Sequence, residues 1–154
     1  MVTVGCEPCS GYGAGMDPSP GTGLPSDLTA GPGALAERMG LVITEASPER
    51  AVGTMPVEGN TQPYGLLHGG ASCVLAETLG SVAAALHAAR LHGGYALGVD
   101  INATHHKAVR SGTVTGVASP VKLGASVCTY EVVITDETGD RVCTARLTCF
   151  LRRA

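Results

Sequence analysis

Residues 68–81 read HGGASCVLAETLGS, and Glu77 is the one carboxylate in this run of small and apolar side chains. An ionised carboxylate withdrawn from water is costly unless it is paired or hydrogen-bonded, so Glu77 needs a partner or a task. Ser81 lies four residues on, one turn along the same helical face. A carboxylate beside a hydroxyl can take a proton from water or attack an acyl carbon directly, with the hydroxyl orienting the reacting group. The same pair equally suits a polar spot at a subunit interface, and spacing alone leaves both readings open.

His68-Gly69-Gly70 stands immediately before the helical run. Its glycines allow a ligand close to the backbone, and the free N–H groups at the positive end of a helix favour an anion. An oxyanion forming on an ester or thioester carbonyl would be stabilised there. The other reading is a tight entry turn with His68 bonded to a neighbour. Gly69 and Glu77 are eight residues apart, about 12 Å along a helix, whereas an attacking group and an oxyanion donor both need to lie about 3 Å from one reacting centre. One chain does not supply both. If both act, Glu77 must face the Gly69 end of a partner's antiparallel helix.

The elements that position these residues follow from composition and period. Alanine and leucine dominate from residue 69 to about 89 without proline, which predicts one helix of about 20 residues. On its wheel Leu75, Leu79, Val82 and Leu86 form a bulky stripe that suits the concave face of a sheet. Gly70, Cys73, Glu77, Gly80, Ser81 and Ala84 form the opposite, small-residue stripe, expected to lie against another subunit. A short helix at 33–39 and strands at 41–45 and 50–57 precede it; strands at 95–106, 112–119, 126–135 and 141–151 follow, the last two joined by the hairpin turn at 136–140. Two strands, a long helix and four strands do not alternate as a parallel sheet requires, so the class is α+β, an antiparallel sheet of five to six strands wrapped around one central helix.

The chain has 154 residues, net charge −3 and 15% charged residues. That suits one domain, 32–154, behind a Gly/Pro-rich leader at 1–31 that reads as flexible. Lys and Arg form no run beyond Arg152-Arg153, which argues against nucleic acid. No apolar stretch is expected to reach a membrane span of about 18 residues, and the N-terminus lacks the pattern of an export signal, so a cytoplasmic protein is expected. The six cysteines are expected to be reduced, with Cys6 and Cys9 as a CxxC in the leader that lacks a second pair. His105 and His106 are adjacent on a strand and point to opposite faces, so no metal site is expected.

The run 62–81, QPYGLLHGGASCVLAETLGS, resembles the signature of hotdog-fold acyl-CoA thioesterases. Within that family it is similar to the PaaI-like branch that holds 4-hydroxybenzoyl-CoA thioesterase of the Arthrobacter type, the enterobactin-pathway proofreading thioesterase and 1,4-dihydroxy-2-naphthoyl-CoA thioesterase. The likeness continues through GVDINATH at 98–105, 112–117, Leu123-Gly124 and Arg146-Leu147-Thr148. It implies a hotdog fold and thioester hydrolysis, with Glu77 as the catalytic carboxylate, Ser81 positioning water, and Gly69 polarising the carbonyl through its N–H. Gln62 and His68 would line the carbonyl and sulfur side, and Gly69, Gln62 and His68 would come from the subunit opposite Glu77 in a homodimer or homotetramer. Coenzyme A would enter as part of the substrate, with no separate cofactor, against His105, Lys107, Gly124 and Ser126; relatives carry an arginine where this chain has Ser126. An aromatic acyl group is expected, 1,4-dihydroxy-2-naphthoyl-CoA of menaquinone synthesis being the specific candidate. With one Phe and no Trp, Tyr64 or Leu and Met side chains would wall its pocket. A hotdog 3-hydroxyacyl dehydratase is the first alternative, disfavoured because His68-Gly69-Gly70 lacks the prolines of that loop. A non-catalytic acyl-CoA-binding module, the second, would need no base.

Overall fold

The chain opens with a short helix, α1 (Ala34–Arg38), in a computed structural model that describes residues 32–153. The leader, with Cys6 and Cys9, lies outside the described residues. Strands β1 (Val42–Ala46) and β2 (Ala51–Pro56) lead to the long helix α2 (Gly69–His92), followed by β3 (Tyr95–His105), β4 (Thr113–Leu123), β5 (Val127–Thr135) and β6 (Arg141–Arg152). The sheet has six strands, all paired antiparallel, in the order β1-β2-β4-β5-β6-β3. This is the α+β hotdog arrangement, with α2 in the concave face of the sheet and β1 and β3 as its edges.

Helix α2 starts at the predicted residue and runs three residues past the predicted end. Arg90 and His92 in its last turn suit the negative end of the helix dipole, and the stop is Gly93, whose φ of 66° is left-handed and whose N–H donates to the Ala89 carbonyl. Strand β4 also outruns its expected end at 119. Pro120 removes a ladder donor, but a register shift between Pro120 and Lys122 absorbs it and pairing resumes to Leu123.

Of the bulky stripe of α2, Leu75, Leu79 and Val82 are buried as expected, whereas Leu86 is only half-buried. Leu79 sits in a socket made by two glycines. Gly53 and Gly116 are direct partners across β2 and β4, and a β-carbon would fall 3.0 Å from Leu79 Cδ2 at the first and 2.7 Å from Leu79 Cδ1 at the second. The small-residue stripe departs from expectation, because the sheet curls far enough for α2 to touch all six strands. Gly80 and Ala84 are buried within the chain, Gly80 against Leu147 of β6, so a third of the stripe expected against another subunit is covered by this subunit's own sheet. The stripe that stays half-exposed carries Cys73, Glu77, Ser81 and Ala85 at successive turns, with Val74 and Thr78 alongside.

One further expectation is corrected. At 24 residues, α2 is long and apolar enough by length and composition to cross a membrane. Its apolar character is spent instead on the core, since Leu75, Ala76, Leu79, Ala83, Ala84 and Ala88 are fully buried.

The glycine socket makes a prediction. Gly116→Ala should lower stability by about 1–3 kcal/mol, the usual cost of overpacking a filled core, because Leu79 is held on its other side by Gly53 and has little room to retreat. Urea denaturation measures it; a variant within about 0.5 kcal/mol of wild type would show that Leu79 moves freely.

Candidate active site

The loop 57–68 carries the first group of candidate residues to the start of α2. Asn60, buried, donates through its amide nitrogen to the carbonyls of Met39 (2.7 Å) and Pro56 (2.9 Å), and its own carbonyl accepts from the His68 N–H (2.9 Å). This ties the loop to the body of the fold at the helix entry. Leu67 N–H donates to Val109 across from it, and Gly65 makes the return with a φ of 71°. Gln62 Oε1 accepts from the Tyr64 N–H (2.5 Å), which orients the amide and leaves its nitrogen to donate elsewhere. Tyr64 itself projects outward, 83% exposed, so within this chain it walls no pocket.

His68 is the N-cap of α2. Its Nδ1 accepts from the Gly70 N–H (2.8 Å), and its carbonyl accepts from Ala71 and Ser72. The Gly69 N–H remains without an acceptor among the described residues, at the positive end of a 24-residue helix. His105 of β3 lies across it: a β-carbon on Gly69 would sit 2.8 Å from His105 Nε2. Gly69 lines a cavity of about 350 Å³ whose wall also includes Gln62, Ser72, His105, His106 and Lys107. His106 points to the other face, where its Nε2 meets Thr144 Oγ1 at 3.0 Å.

Glu77 and Ser81 form a second group, outside that cavity wall. Both are half-buried, and Ser81 Oγ donates to Glu77 Oε1 at 3.2 Å. The hydroxyl beside the carboxylate is therefore observed, and one chain keeps the pair apart from Gln62, Gly69 and His105. Cys149, a cross-strand partner of Cys128 and of Gly98, lies beneath this pair. Contact with the Cys128 thiol and burial hold the Cys149 thiol well above its usual range, and burial pushes Cys143 up to about 11, so both stay protonated. The four cysteines among the described residues are free thiols.

The remaining candidates are scattered. Gly124 and Ser126 form the β4–β5 turn, where the Gly124 carbonyl meets the buried His87 Nε2 at 3.0 Å and the Ser126 carbonyl accepts from Leu151 N–H. His87 lies eighteen residues beyond Gly69 on α2, about 27 Å along its axis. The Lys107 ammonium bonds Asp136 and Asp140 in the β5–β6 turn. That ammonium, with Thr138 second, holds Asp136 well below the usual carboxylate range, and Asp136 in turn raises Lys107. The loop anchor Asn60 was not read from the sequence; no spacing rule marks an asparagine whose partners lie 21 and 4 residues away.

The sequence pattern of the thioesterase superfamily matches residues 64–143, which include every candidate catalytic residue except Gln62. The chain belongs to that superfamily. It is 47% identical over 116 residues to the proofreading thioesterase EntH of Cronobacter sakazakii, a match that covers 75% of this chain and 83% of that protein. Among solved structures, a thioesterase from Haemophilus influenzae is similar at 36% identity and a TM-score of 0.69, covering 76% of this chain and 81% of that one. A glutamine-to-alanine variant of a Pseudomonas aeruginosa thioesterase is similar at 34% identity and a TM-score of 0.74, over 83% and 92%. This superfamily member is a thioester hydrolase.

The ion pairs of Lys107 generate a test. Lys107→Met should leave KM for an acyl-CoA within about threefold, because the ammonium is already spent, whereas loss of a bond to a charged phosphate, about 1.5–3 kcal/mol, would raise KM tenfold or more.

Proposed function

We propose that this thioesterase hydrolyses acyl-CoA thioesters in the cytoplasm with Glu77 as the catalytic carboxylate, acting as base on water or as nucleophile. The observation that carries the reading is the Glu77–Ser81 pair, a half-buried carboxylate with an oriented hydroxyl on the face of α2 that the sheet leaves open. The thioester carbonyl would lie at the Gly69 N–H, where the end of the helix favours developing negative charge, with the Gln62 amide nitrogen as second donor. His68 holds the adjoining N–H of Gly70 through its ring, so its task is to shape the entry rather than to move a proton. His105, across Gly69, stands on the sulfur and coenzyme A side, and the Gly124–Ser126 turn would take the nucleotide end.

Such a site needs two chains. Edge strand β3 has an unpaired outer side over 11 residues, with Leu97, Val99 and Ile101 exposed. An apolar edge of that length is a template for another strand, and a second β3 laid antiparallel across a two-fold axis would join two sheets and run the two α2 helices in opposite directions. Glu77 of one subunit would then face Gly69 and Gln62 of the other.

An aromatic acyl group remains our choice of substrate, with 1,4-dihydroxy-2-naphthoyl-CoA first. A second reading, removal of wrongly loaded thioesters, is favoured by the 47% identity to a protein named a proofreading thioesterase. A dehydratase or a silent binding module would release no thiol from any acyl-CoA, so a panel of aromatic and aliphatic thioesters followed by free-thiol release separates these readings. In it, Glu77→Gln should lower kcat by about 10² to 10⁴ with the fold intact. Retention of more than about a third of kcat removes Glu77 from the chemistry.

The shared site has its own test. Glu77→Ala and Gln62→Ala subunits, each shown to be impaired, are unfolded and refolded together. About half the dimers are then mixed, and in these one site collects both lesions and the other none, so about a quarter of all sites regain wild-type composition. Activity near that level supports a site built from both chains; verified mixing with no recovery places Glu77 and Gln62 in one chain's site.

A further inference from the structure

Glu77 has a neighbour whose importance lies in what it lacks. Gly98 of β3 faces the concave side opposite Cys149, and a β-carbon there would fall 2.5 Å from Glu77 Oε1 and 3.6 Å from its Cδ, with Leu147 Cδ1 at 3.8 Å. A contact of 2.5 Å is shorter than carbon and oxygen tolerate, so the carboxylate occupies the space that a side chain at residue 98 would fill. A left-handed backbone is not the reason for glycine, since Gly98 is not among the glycines with positive φ. Glycine inside a strand is unfavourable for the strand itself, and where it persists it often marks a bulge or a close approach. Both are present here. The register of β3 on β6 shifts between Gly98 and Asp100, leaving Val99 as the extra residue, and the carboxylate rests on the strand at the start of that bulge. Gly80 completes the arrangement from the helix side, since a β-carbon there would meet Leu147 Cδ2 at 2.6 Å, and its absence lets α2 lie low enough for Glu77 to reach β3.

We infer that Gly98 is a positioning residue for the hydrolysis: its bare backbone is the seat of the Glu77 carboxylate. One oxygen, Oε1, accepts from the Ser81 hydroxyl and lies over the bare side of Gly98, where a β-carbon would stand 2.5 Å from it. The inference rests on the reading of Glu77 as the catalytic group.

The test is a pair of double-variant comparisons in the full-length enzyme. Gly98→Ala should lower kcat by about tenfold to a hundredfold, the cost of misplacing a catalytic group by about 1 Å, with KM within about twofold. Glu77→Asp withdraws the carboxylate by one methylene, so adding Gly98→Ala to it should cost less than about threefold further. In melting experiments, Glu77→Ala should remove most of the Tm loss that Gly98→Ala causes, because the clash disappears with the carboxylate; this readout applies even if Gly98→Ala alone folds poorly. Gly98→Ala with more than half the wild-type kcat, the same loss in the Glu77→Asp background as in wild type, or no recovery of Tm would each overturn the inference. Glu77→Gln separates the two ideas: an active Glu77→Gln ends the catalytic reading itself, whereas an inactive Glu77→Gln beside an active Gly98→Ala ends only the role of Gly98.

Discussion

The height at which α2 rides above the sheet is the constraint on which the site depends. Four glycines set it: Gly53 and Gly116 beneath Leu79, Gly80 against Leu147, and Gly98 beneath Glu77. A β-carbon at any of them would come within 3.0 Å of the side chain it faces. Close approach raises the number of favourable atom contacts along the whole helix, each worth little and together substantial. It also ties a polar problem to an apolar solution. The leucines that bury themselves in the glycine socket bring the same helix down where its carboxylate finds the one stretch of β3 able to receive it.

The helix then works as a ruler. Its N-terminus holds the Gly69 N–H with His105 laid across it, the third turn holds Glu77 with Ser81, and the last third carries His87 against the Gly124 carbonyl. At 1.5 Å per residue these stations are about 12 and 15 Å apart, far beyond the reach of a single acyl carbon. A straight helix cannot fold its own start onto its middle, so in the reading proposed above a second helix supplies the missing end. The exposed edge of β3 and the half-exposed stripe through Cys73, Glu77, Ser81 and Ala85 are, on that reading, two sides of one incompleteness.

What could be read from the residue order alone is what local rules govern. The start of α2, the 136–140 hairpin turn, the Glu77–Ser81 neighbourhood and the opposite facing of His105 and His106 follow from period and turn chemistry, and each is present in the structure. The missed features depend on the sheet's curvature and register. Gly80 and Ala84 looked like a partner-facing stripe because a wheel shows which residues share a side, not how far a sheet will wrap around it. The bonds of Lys107 to Asp136 and Asp140 were not read, because those carboxylates lie 29 and 33 residues away and meet it only through the pairing of the strands. Gly98 was visible only as one letter in a familiar run, since a residue whose function is empty space has no periodicity.

The same register bears on how coenzyme A is recognised. Lys107 is held by two carboxylates, and the Ser126 carbonyl accepts from the Leu151 N–H. Moving the ammonium from two carboxylates to a phosphate exchanges one anion for another and gains little, so on the reading proposed above Lys107 adds little discrimination at the nucleotide end. On the reading proposed above, selectivity falls on interactions that strengthen as the carbonyl becomes an oxyanion, at the Gly69 N–H and at the Glu77 carboxylate, where differential stabilisation raises kcat rather than merely lowering KM. On that reading a substrate is chosen by how well its acyl group brings the carbonyl to the helix end, so the geometry of α2 outweighs the charge at the rim.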